Sequence, residues 1–269
     1  MAANPARQGE DEVLYDLRDH IATITINRPE VQNTISGPML DALTRRLIEA
    51  NETADVRAIV LTGTGRFFCA GLDLRGGSIS GGLSGGAGPA NLDLRNTPPT
   101  VLHSLDKPTL CALNGSAAGY GMDLALGCDI RIMADDAKLA AAFTARGVLP
   151  ESGGTWILPR LLGWSKAAEL IFTGKTLTAV ECLDMGLVSR IASSAEIGAT
   201  ARELALAIAA NAPLAVQASK RMMRMGMNET FNDHVHHVFL QLLPLFRSED
   251  FKEGMASFLE KRKPQFKGR

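Results

Sequence analysis

Glu151 lies in an unusual sequence setting, between a proline and a Ser-Gly-Gly turn in the stretch LPESGGTW at 149–156. In one interpretation its carboxylate only favours the first amides of a following helix, an effect of about 0.3–1 kcal/mol. In the other, the carboxylate transfers a proton within a pocket. The choice depends on which groups the fold places beside it.

Two other stretches place small residues where a buried strand turns: FFCAGLDL at 67–74 and NGSAAGYGMD at 114–123. Small residues let a ligand approach backbone N–H groups, and the second stretch opens a helix, whose N-terminal amides favour negative charge. Turns on neighbouring strands can direct two amides at one oxygen atom, which forms an oxyanion hole. Close packing also requires Gly and Ala at such turns, but the pair with carboxylates nearby favours chemistry.

Better-known motifs are matched only in part. GLSGG at 82–86 fits the G-x-S-x-G of a hydrolase elbow, but glycine-rich sequence flanks Ser84 where that elbow needs a strand and a helix. GYGMDL at 119–124 begins like a dinucleotide fingerprint, yet Leu124 stands at the third glycine position. The five histidines and four cysteines lack the spacing of a metal site, a triad or a disulfide framework. We therefore predict no metal and no dinucleotide cofactor.

The composition is that of a globular protein. Of 269 residues, 46% are hydrophobic and 21% charged, and the formal net charge of -1 gives no general attraction to nucleic acid or an anionic membrane. No segment approaches the ~18 consecutive apolar residues of a membrane span. Residues 1–12 resemble neither a signal peptide nor a transit peptide. We predict a cytoplasmic protein with reduced cysteines and neither nucleic-acid nor membrane partners.

Strand and helix patterns alternate over much of the chain. Residues 12–27 predict a β-hairpin, 37–51 an amphipathic helix and 56–63 a buried strand. The alternation continues to 138–143 and favours stacked parallel β-α units. The glycine-rich segment at 76–90 predicts a surface loop.

Beyond Trp156 the patterns are mostly helical, and GLVSRIA is the one plausible further strand. We predict an α/β core over 1–192, followed by a helical region over 193–269. The helical region has more methionine than one helix stripe needs, which suits packing against another subunit. These residues are Met222, Met223, Met225 and Met227.

Taken in order, the longer motifs resemble the crotonase, or enoyl-CoA hydratase/isomerase, superfamily. TITINRPEVQNTIS is similar to its N-terminal strand and first CoA-contact loop, GRFFCAGLDL to its first oxyanion turn, and KPTLCALNGSAAGYGMDLALGCDIRIMADDAKL to its core signature. GLVSRI and FLEKRKPQF match later landmarks, so the resemblance runs nearly end to end. It implies a spiral of stacked β-β-α units with a C-terminal helical trimerisation region, assembled as a homotrimer or a dimer of trimers.

The resemblance also implies which amides form the oxyanion hole, namely those of Leu72 and Tyr120. Family members usually have glycine at the Tyr120 position. Every residue except proline keeps its amide N–H, so the hole can persist while the phenol ring fits elsewhere.

Contacts with the acyl-CoA are implied by the same resemblance. The family's contact segments correspond to those around Arg28, Ala70 and Asp73, and Phe258 and Lys261 of a neighbouring chain would hold the nucleotide portion. Coenzyme A is part of the substrate, so no separate cofactor is implied.

The carboxylates decide which reaction the resemblance implies. Family hydratases have two glutamates, whose positions correspond here to Asp123 and Phe143, so the two-glutamate arrangement is broken. Glu151 is similar to the single acidic residue of isomerase members, and double-bond migration needs only one base. The catalytic candidates are therefore Glu151 and Asp123, although an Asp within a helix can also serve only to bond a neighbouring turn.

The resulting expectation is an enzyme that stabilises a thioester enolate while a carboxylate moves a proton, and so hydrates or isomerises an enoyl-CoA. Two alternatives stay open. One is an acyl-CoA hydrolase on the same scaffold, which would release free thiol. The other is a non-catalytic acyl-CoA-binding member, which Phe143 and the unusual Tyr120 would suit.

Overall fold

The computed structural model describes residues 9, 11–73 and 97–269, so residues 74–96, including the predicted loop at 76–90, lie outside the described residues. The strands are β1 (Val13–Arg18), β2 (Ile21–Ile26), β3 (Ala58–Gly63), β4 (Phe67–Cys69), β5 (Thr109–Leu113), β6 (Ser116–Ala118), β7 (Ile130–Ala134), β8 (Lys138–Ala140), β9 (Thr176–Thr178) and β10 (Arg190–Ala192). The α-helices are α1 (Gly37–Glu52), α2 (Pro98–Ser104), α3 (Tyr120–Gly127), α4 (Gly154–Leu162), α5 (Trp164–Thr173), α6 (Ala179–Asp184), α7 (Ile197–Ala209), α8 (Pro213–Gly226), α9 (Phe231–Arg247) and α10 (Glu249–Leu259). Short 3-10 helices cover Pro29–Val31 and Thr144–Arg146.

The strands form two sheets that the chain visits alternately. The larger has the order β1-β2-β3-β5-β7-β10 and the smaller the order β4-β6-β8-β9. The strands β3, β5 and β7 of the larger sheet are each followed by a short strand of the smaller one, and β4, β6 and β8 run parallel. Helices α2 and α3 follow the first two of these pairs. The predicted stacking of β-β-α units is therefore confirmed, as is the β1-β2 hairpin.

The central strands of the larger sheet are largely apolar because helices cover both faces. On one face Val60, Leu110 and Ile132 pack against the alanines of α7, whose small side chains let the helix approach closely. The other face joins the main core with α1, α2 and α3. The sheet is thus a fixed support for the turns at its strand ends.

Two asparagine side chains fix the loops that lead into the smaller sheet. Asn33 is fully buried, and its Nδ2 donates to the carbonyl oxygen of Phe67 at 2.6 Å. The Asn114 side chain accepts from the Gly63 amide at 2.9 Å and donates to the Gly65 carbonyl at 2.9 Å. These bonds satisfy backbone groups at the strand ends. They hold the start of β4 beside the start of β6.

Beyond Trp156 the structure has one strand more than the sequence predicted. The expected strand at 186–192 is present as β10, but β9 pairs antiparallel with β8 as well. The β9 sequence TLT is too short for a period-two pattern to distinguish it from a loop.

Helix α8 docks on the core through its basic residues. The Lys220 ammonium lies 2.7 Å from the Asp129 carboxylate, and the Arg221 guanidinium lies 2.6 Å from the Asp106 carboxylate. Of the predicted interface methionines, Met222 is buried against the core, whereas Met223 is 73% exposed. The stretch KRMMRMG therefore uses its charges for internal contacts and presents part of its apolar surface outwards.

Helix α9 has no buried residue and exposes a row of large apolar side chains. Its most exposed members include Phe231, Val235, Phe239, Leu240 and Phe246. Such a surface is typical of a subunit interface. The predicted oligomer and the predicted division between 192 and 193 stay predictions. Among the described helices, none has the length and apolar character that crossing a bilayer requires.

Candidate active site

The two small-residue turns lie side by side at the ends of β4 and β6. A Cβ atom built on Gly121 would lie only 2.1 Å from the Cys69 carbonyl oxygen. One built on Gly71, whose φ is +111°, would lie 3.2 Å from the Ala118 carbonyl oxygen and 3.9 Å from the Tyr120 nitrogen. Backbone packs directly on backbone here, which only glycine permits. The expected convergence of the two turns is therefore present.

The amides of Leu72 and Tyr120 are available in this arrangement. Ile35 donates to the Gly71 carbonyl and accepts from the Asp73 amide, each at 2.9 Å, which leaves Leu72 between them without a hydrogen-bond partner in the described residues. Tyr120 is the first residue of α3, and its amide is also unengaged within the described part of the chain. The structure thus brings the turn that contains Leu72 beside the Tyr120 amide, which lies at the N-terminus of α3, where negative charge is favoured.

Cys69 ends β4 directly before the first turn. Its side chain is completely buried, and burial raises the pKa of the thiol to about 12. The sulfur therefore stays protonated near neutral pH and is a poor nucleophile. The turn contributes backbone rather than thiolate chemistry.

Asp123 lies in the first turn of α3 and is only 1% exposed. Its Oδ2 atom accepts from the Ser152 amide at 3.2 Å, and its Oδ1 atom has no hydrogen-bond partner in the described residues. A Cβ atom on Gly154 would lie 2.4 Å from Oδ1, so the carboxyl group packs against the glycine turn. Burial, with a smaller contribution from the charge of Glu151, raises the pKa of Asp123 to about 7. Asp123 therefore joins LPESGGTW to the oxyanion turns.

Glu151 is partly buried in the turn that precedes α4, and this burial raises the pKa of its carboxyl group above the ordinary value of 4.5. Helix α4 begins at Gly154 with Gly153 as its N-cap and without a side-chain cap. Among the described residues, no hydrogen bond joins the Glu151 side chain to the first amides of this helix. Its carboxylate instead contributes to the electrostatics of Asp123 and Tyr120.

Phe143 follows β8 and is 2% exposed. The position that corresponds to the second glutamate of family hydratases therefore holds an apolar side chain in the core. Sequence reasoning missed Ser152, whose amide holds Asp123 and whose hydroxyl oxygen is buried without a partner in the described residues. The position of Ser152 next to Glu151 was the one indication in the sequence. Its contact with α3 arises only in the folded chain.

The predicted CoA-contact residues of the first turn also come together. Arg28 Nη1 lies 2.8 Å from Asp73 Oδ2, and Arg28 Nε lies 3.2 Å from a Glu12 carboxylate oxygen. The Ala70 amide donates to the Gln32 carbonyl at 3.1 Å. Arg28 is thus already paired with carboxylates, which the sequence did not indicate.

Phe258 lies at the end of α10, which packs on α9, and Lys261 follows the end of this helix. Phe258 is 79% exposed, and Lys261 has a left-handed backbone with φ +54°. Their predicted contacts with a neighbouring chain's ligand stay a prediction.

The raised pKa of Asp123 predicts a pH-dependent stability. The carboxyl group is protonated in the folded state but ionised in the unfolded state between its ordinary pKa of 3.8 and its folded pKa of about 7. Stability is therefore lost as pH rises through this window, by at most about 1.4 kcal/mol per pH unit. We expect Asp123→Asn to stabilise the protein more at pH 8 than at pH 5, as measured by denaturant unfolding.

The matched control for this experiment is Asp135→Asn, since Asp135 is exposed. Its difference from the parent protein should stay the same at both pH values. An equal effect of Asp123→Asn at pH 5 and pH 8 would contradict the raised pKa.

Comparison with known proteins gives one consistent result. Residues 16–269 match the family model described as Enoyl-CoA hydratase/isomerase. The chain is 36% identical over 263 residues to a putative enoyl-CoA hydratase/isomerase, YngF, of Bacillus subtilis, with 96% of this chain and 99% of that protein covered. It is 34% identical over 260 residues to 1,2-epoxyphenylacetyl-CoA isomerase of Escherichia coli, with 96% and 98% covered. The crystal structure of an enoyl-CoA hydratase from Bacillus anthracis superposes with a TM-score of 0.88 at 32% identity, with 96% and 100% covered.

Proposed function

The chain belongs to the enoyl-CoA hydratase/isomerase family, and from that membership we propose that it moves or hydrates the double bond of an enoyl-CoA thioester. Coenzyme A is part of the substrate, and the proposed mechanism uses no further cofactor. Support comes from two adjacent turns whose Leu72 and Tyr120 amides have no hydrogen-bond partner among the described residues, and from two carboxyl groups whose pKa values are raised by burial.

In the proposed mechanism the amides of Leu72 and Tyr120 bind the thioester oxygen. Removal of a proton from the α carbon places negative charge on that oxygen, and preorganised amides stabilise the enolate more than they stabilise the ground state. The neighbouring α3 N-terminus contributes in the same direction. The α proton becomes acidic enough for a carboxylate to remove.

Glu151 is the proposed base. For isomerisation of a trans-3-enoyl-CoA it removes a proton from C2, the electron pair delocalises onto the thioester oxygen, and the same proton returns at C4 to leave the double bond between C2 and C3. One observation favours isomerisation over hydration. The buried Phe143 stands where family hydratases have their second glutamate, so Glu151, which is partly buried and has a raised pKa, is left as the proton-transfer group. One carboxylate is sufficient for this exchange.

Hydration is the second candidate, and the observation that favours it is the raised pKa of Asp123. A carboxyl group with a pKa of about 7 exists in both protonation states near neutral pH and can act as a general acid or base. Asp123 and Glu151 would then share the two proton transfers of water addition. The hydrolase and non-catalytic alternatives are less favoured, because the similar proteins have the names of hydratases, dehydratases and isomerases.

A direct assay tests the proposal. The purified chain is incubated with trans-3-hexenoyl-CoA and, separately, with trans-2-hexenoyl-CoA, and the products are separated by chromatography. We expect trans-2-hexenoyl-CoA from the first substrate, whereas 3-hydroxyhexanoyl-CoA from the second would establish hydration. A thiol reagent checks for free CoA. Release of thiol, or binding without turnover of either ester, would contradict the proposal.

We further propose a homotrimer or a dimer of trimers in the cytoplasm. The exposed apolar surface of α9 supports an oligomer, and the four buried free cysteines suit a reducing compartment. In this assembly Phe258 and Lys261 would reach a neighbouring chain's nucleotide portion, and Arg28, Ala70 and Asp73 would line the first CoA-contact turn.

A further inference from the structure

Residues 262–269 form a strap that folds back along α10. Near the middle of the helix, the Gln265 amide donates to Glu253 Oε1 at 2.7 Å. At its start, the Glu249 amide donates to the Arg269 carbonyl oxygen at 2.8 Å. The strap therefore runs in the opposite direction to α10 and ends beside the first turn of that helix.

Asp250 anchors the end of the strap. It lies in the first turn of α10 and is only 3% exposed. One of its carboxylate oxygens accepts from the Lys267 amide at 2.6 Å, and the other accepts from the Gly268 amide at 2.8 Å. Hydrogen bonds to an ionised acceptor are roughly twice as strong as those between neutral groups, and a buried carboxylate depends on them. Loss of either bond should release the end of the strap.

Arg57, directly before β3, fastens the strap to the α/β core. Its guanidinium group donates to the Phe266 carbonyl oxygen at 2.7 Å and to the Ala209 carbonyl oxygen at the end of α7 at 3.0 Å. A Cβ atom built on Gly254 would lie 3.6 Å from the Phe266 ring, so this ring packs on α10. Helix α10 itself packs on α9, which has no buried residue. The strap thus ties α10 to the rigid part of the fold.

Lys261 occupies the turn between α10 and the strap. The Arg262 amide donates to the Ser257 carbonyl oxygen at 3.0 Å, a helix ending that usually has glycine at the left-handed position. Lys261 takes that position with a φ of +54°, a conformation that a side chain strains. The Arg262 guanidinium group pairs with Glu253 at 2.8 Å, whereas the Lys261 ammonium has no partner within the described part of the chain. A strained position with an unpaired cation points to a use for the lysine side chain.

We propose that Asp250 is a positioning residue. By anchoring the strap, it holds the Lys261 turn so that the ammonium group pairs with a phosphate group in the nucleotide portion of a neighbouring chain's acyl-CoA. The inference rests on the proposed function, which supplies both the acyl-CoA and the neighbouring chain. Asp250 contacts neither the substrate nor the reacting atoms, so it affects substrate affinity and not the chemical step.

The test compares two thioesters of one acyl group, trans-3-hexenoyl-CoA and trans-3-hexenoyl-pantetheine, which lacks the nucleotide portion. Both kcat and KM are measured for the parent protein and for Asp250→Asn, which places an NH₂ group against one of the strap amides. We expect KM for the CoA ester to rise about 2- to 5-fold, the contribution of an exposed ion pair. The kcat for both esters and the KM for the pantetheine ester should stay at the parent values. An equal fall in kcat/KM for both esters would show a general structural role and overturn the inference.

Lys261→Gly removes the lysine side chain together with the strain in its turn. This variant should be at least as stable as the parent protein and should show the same selective rise in KM for the CoA ester. Adding Asp250→Asn to it should change that KM little further, because both substitutions remove one and the same contact. Additive effects of the two substitutions would contradict a positioning role for Asp250.

Asp233→Asn is the matched control, since Asp233 is an exposed residue in the first turn of α9 that bonds Thr230 and not the strap. It should keep the parent KM for both esters, and a selective rise equal to that of Asp250→Asn would overturn the inference. Should Asp250→Asn fail to fold, Arg57→Lys keeps the positive charge but loses the fork that holds two carbonyl groups. The same selective rise is then expected, and an unchanged KM would count against the strap.

The parent protein itself separates the two levels of the argument. Conversion of both esters with equal kcat/KM would support the proposed function and overturn the inference alone, because the nucleotide portion would then contribute nothing. Conversion of neither ester would overturn the proposed function and the inference together.

Discussion

Glu151→Gln is expected to lower kcat for double-bond migration by about 10²–10⁴ while the acyl-CoA ester still binds. The amide has nearly the shape of the carboxylate but cannot accept the C2 proton. Glu151 is partly buried next to the turns, and no hydrogen bond joins its side chain to the first amides of α4 in the described residues, so its removal should not unfold the loop. The measurement is the steady-state rate of trans-3-hexenoyl-CoA conversion, with binding of butanoyl-CoA determined in parallel.

Three further measurements test whether the lower kcat results from loss of the catalytic base. Glu203→Gln changes an exposed glutamate on α7 and should keep the parent rate. The parent's kcat should rise with pH through the raised pKa of Glu151, because the base acts in its ionised form. Asp123→Asn should slow the reaction less than Glu151→Gln does. Full activity in Glu151→Gln together with loss in Asp123→Asn would transfer the role of base to Asp123.

The contrast between these two carboxyl groups follows from their positions. Asp123 is almost completely enclosed and accepts from the Ser152 amide, whereas Glu151 stands in the turn itself and is partly exposed. A base must reach carbon atoms of the substrate, which favours the more accessible group. Asp123 is better placed to hold the loop through the Ser152 amide. Its charge also influences Glu151, and that charge changes near pH 7.

Much of the fold could be predicted because local patterns agree with it. Apolar runs such as AIVLTG and TLCAL became the central strands β3 and β5, and Ser36 caps α1 at the predicted start. The short strand β9 was missed, since three residues define no period. A strand or helix can therefore be predicted from the sequence where it is long enough to show a periodic pattern of apolar residues.

The site was predictable as a set of positions but not as a set of contacts. Small residues predicted two turns that could direct amides at one oxygen atom, and the family resemblance implied that these amides are those of Leu72 and Tyr120. In the structure the two turns lie side by side. The bond between the Ser152 amide and Asp123, and the ion pair of Arg28 with Asp73, depend on side chains that meet only after folding. Such long-range pairs leave no mark on spacing along the chain.

Those contacts change the chemical interpretation of the carboxylates. Taken alone, an Asp within a helix is equally well a structural residue. In the structure, burial raises the pKa of Asp123 to about 7, although the hydrogen bond from the Ser152 amide lowers it. Desolvation of this kind is common at functional sites. The three-dimensional surroundings, and not the residue type, make this group a candidate for chemistry.

Gly121→Ala is expected to lower kcat by about 10²–10³, comparable to the loss of one oxyanion-hole donor. Its new Cβ would stand 2.1 Å from the carbonyl oxygen of Cys69 and 2.9 Å from its Cβ, distances at which atoms must move. Cys69 ends β4, and Gly121 lies at the start of α3. We expect relief of the clash to move these two elements apart and so to separate the Leu72 and Tyr120 amides. The measurement is kcat on trans-3-hexenoyl-CoA, with folding followed by circular dichroism.

Two other glycine variants distinguish this effect from general destabilisation. In Gly198→Ala on α7, the new Cβ meets no atom of the described residues within 4 Å. This variant should keep the parent kcat with slightly higher stability, since alanine favours a helix by up to about 1 kcal/mol. Should Gly121→Ala fail to fold, Gly71→Ala makes a milder intrusion, 3.2 Å from the Ala118 carbonyl oxygen, although its φ of +111° is strained for alanine. A folded Gly121→Ala protein with parental kcat would show that contact between the two turns is not needed for catalysis. The oxyanion hole would then have to be sought in other amides than those of Leu72 and Tyr120.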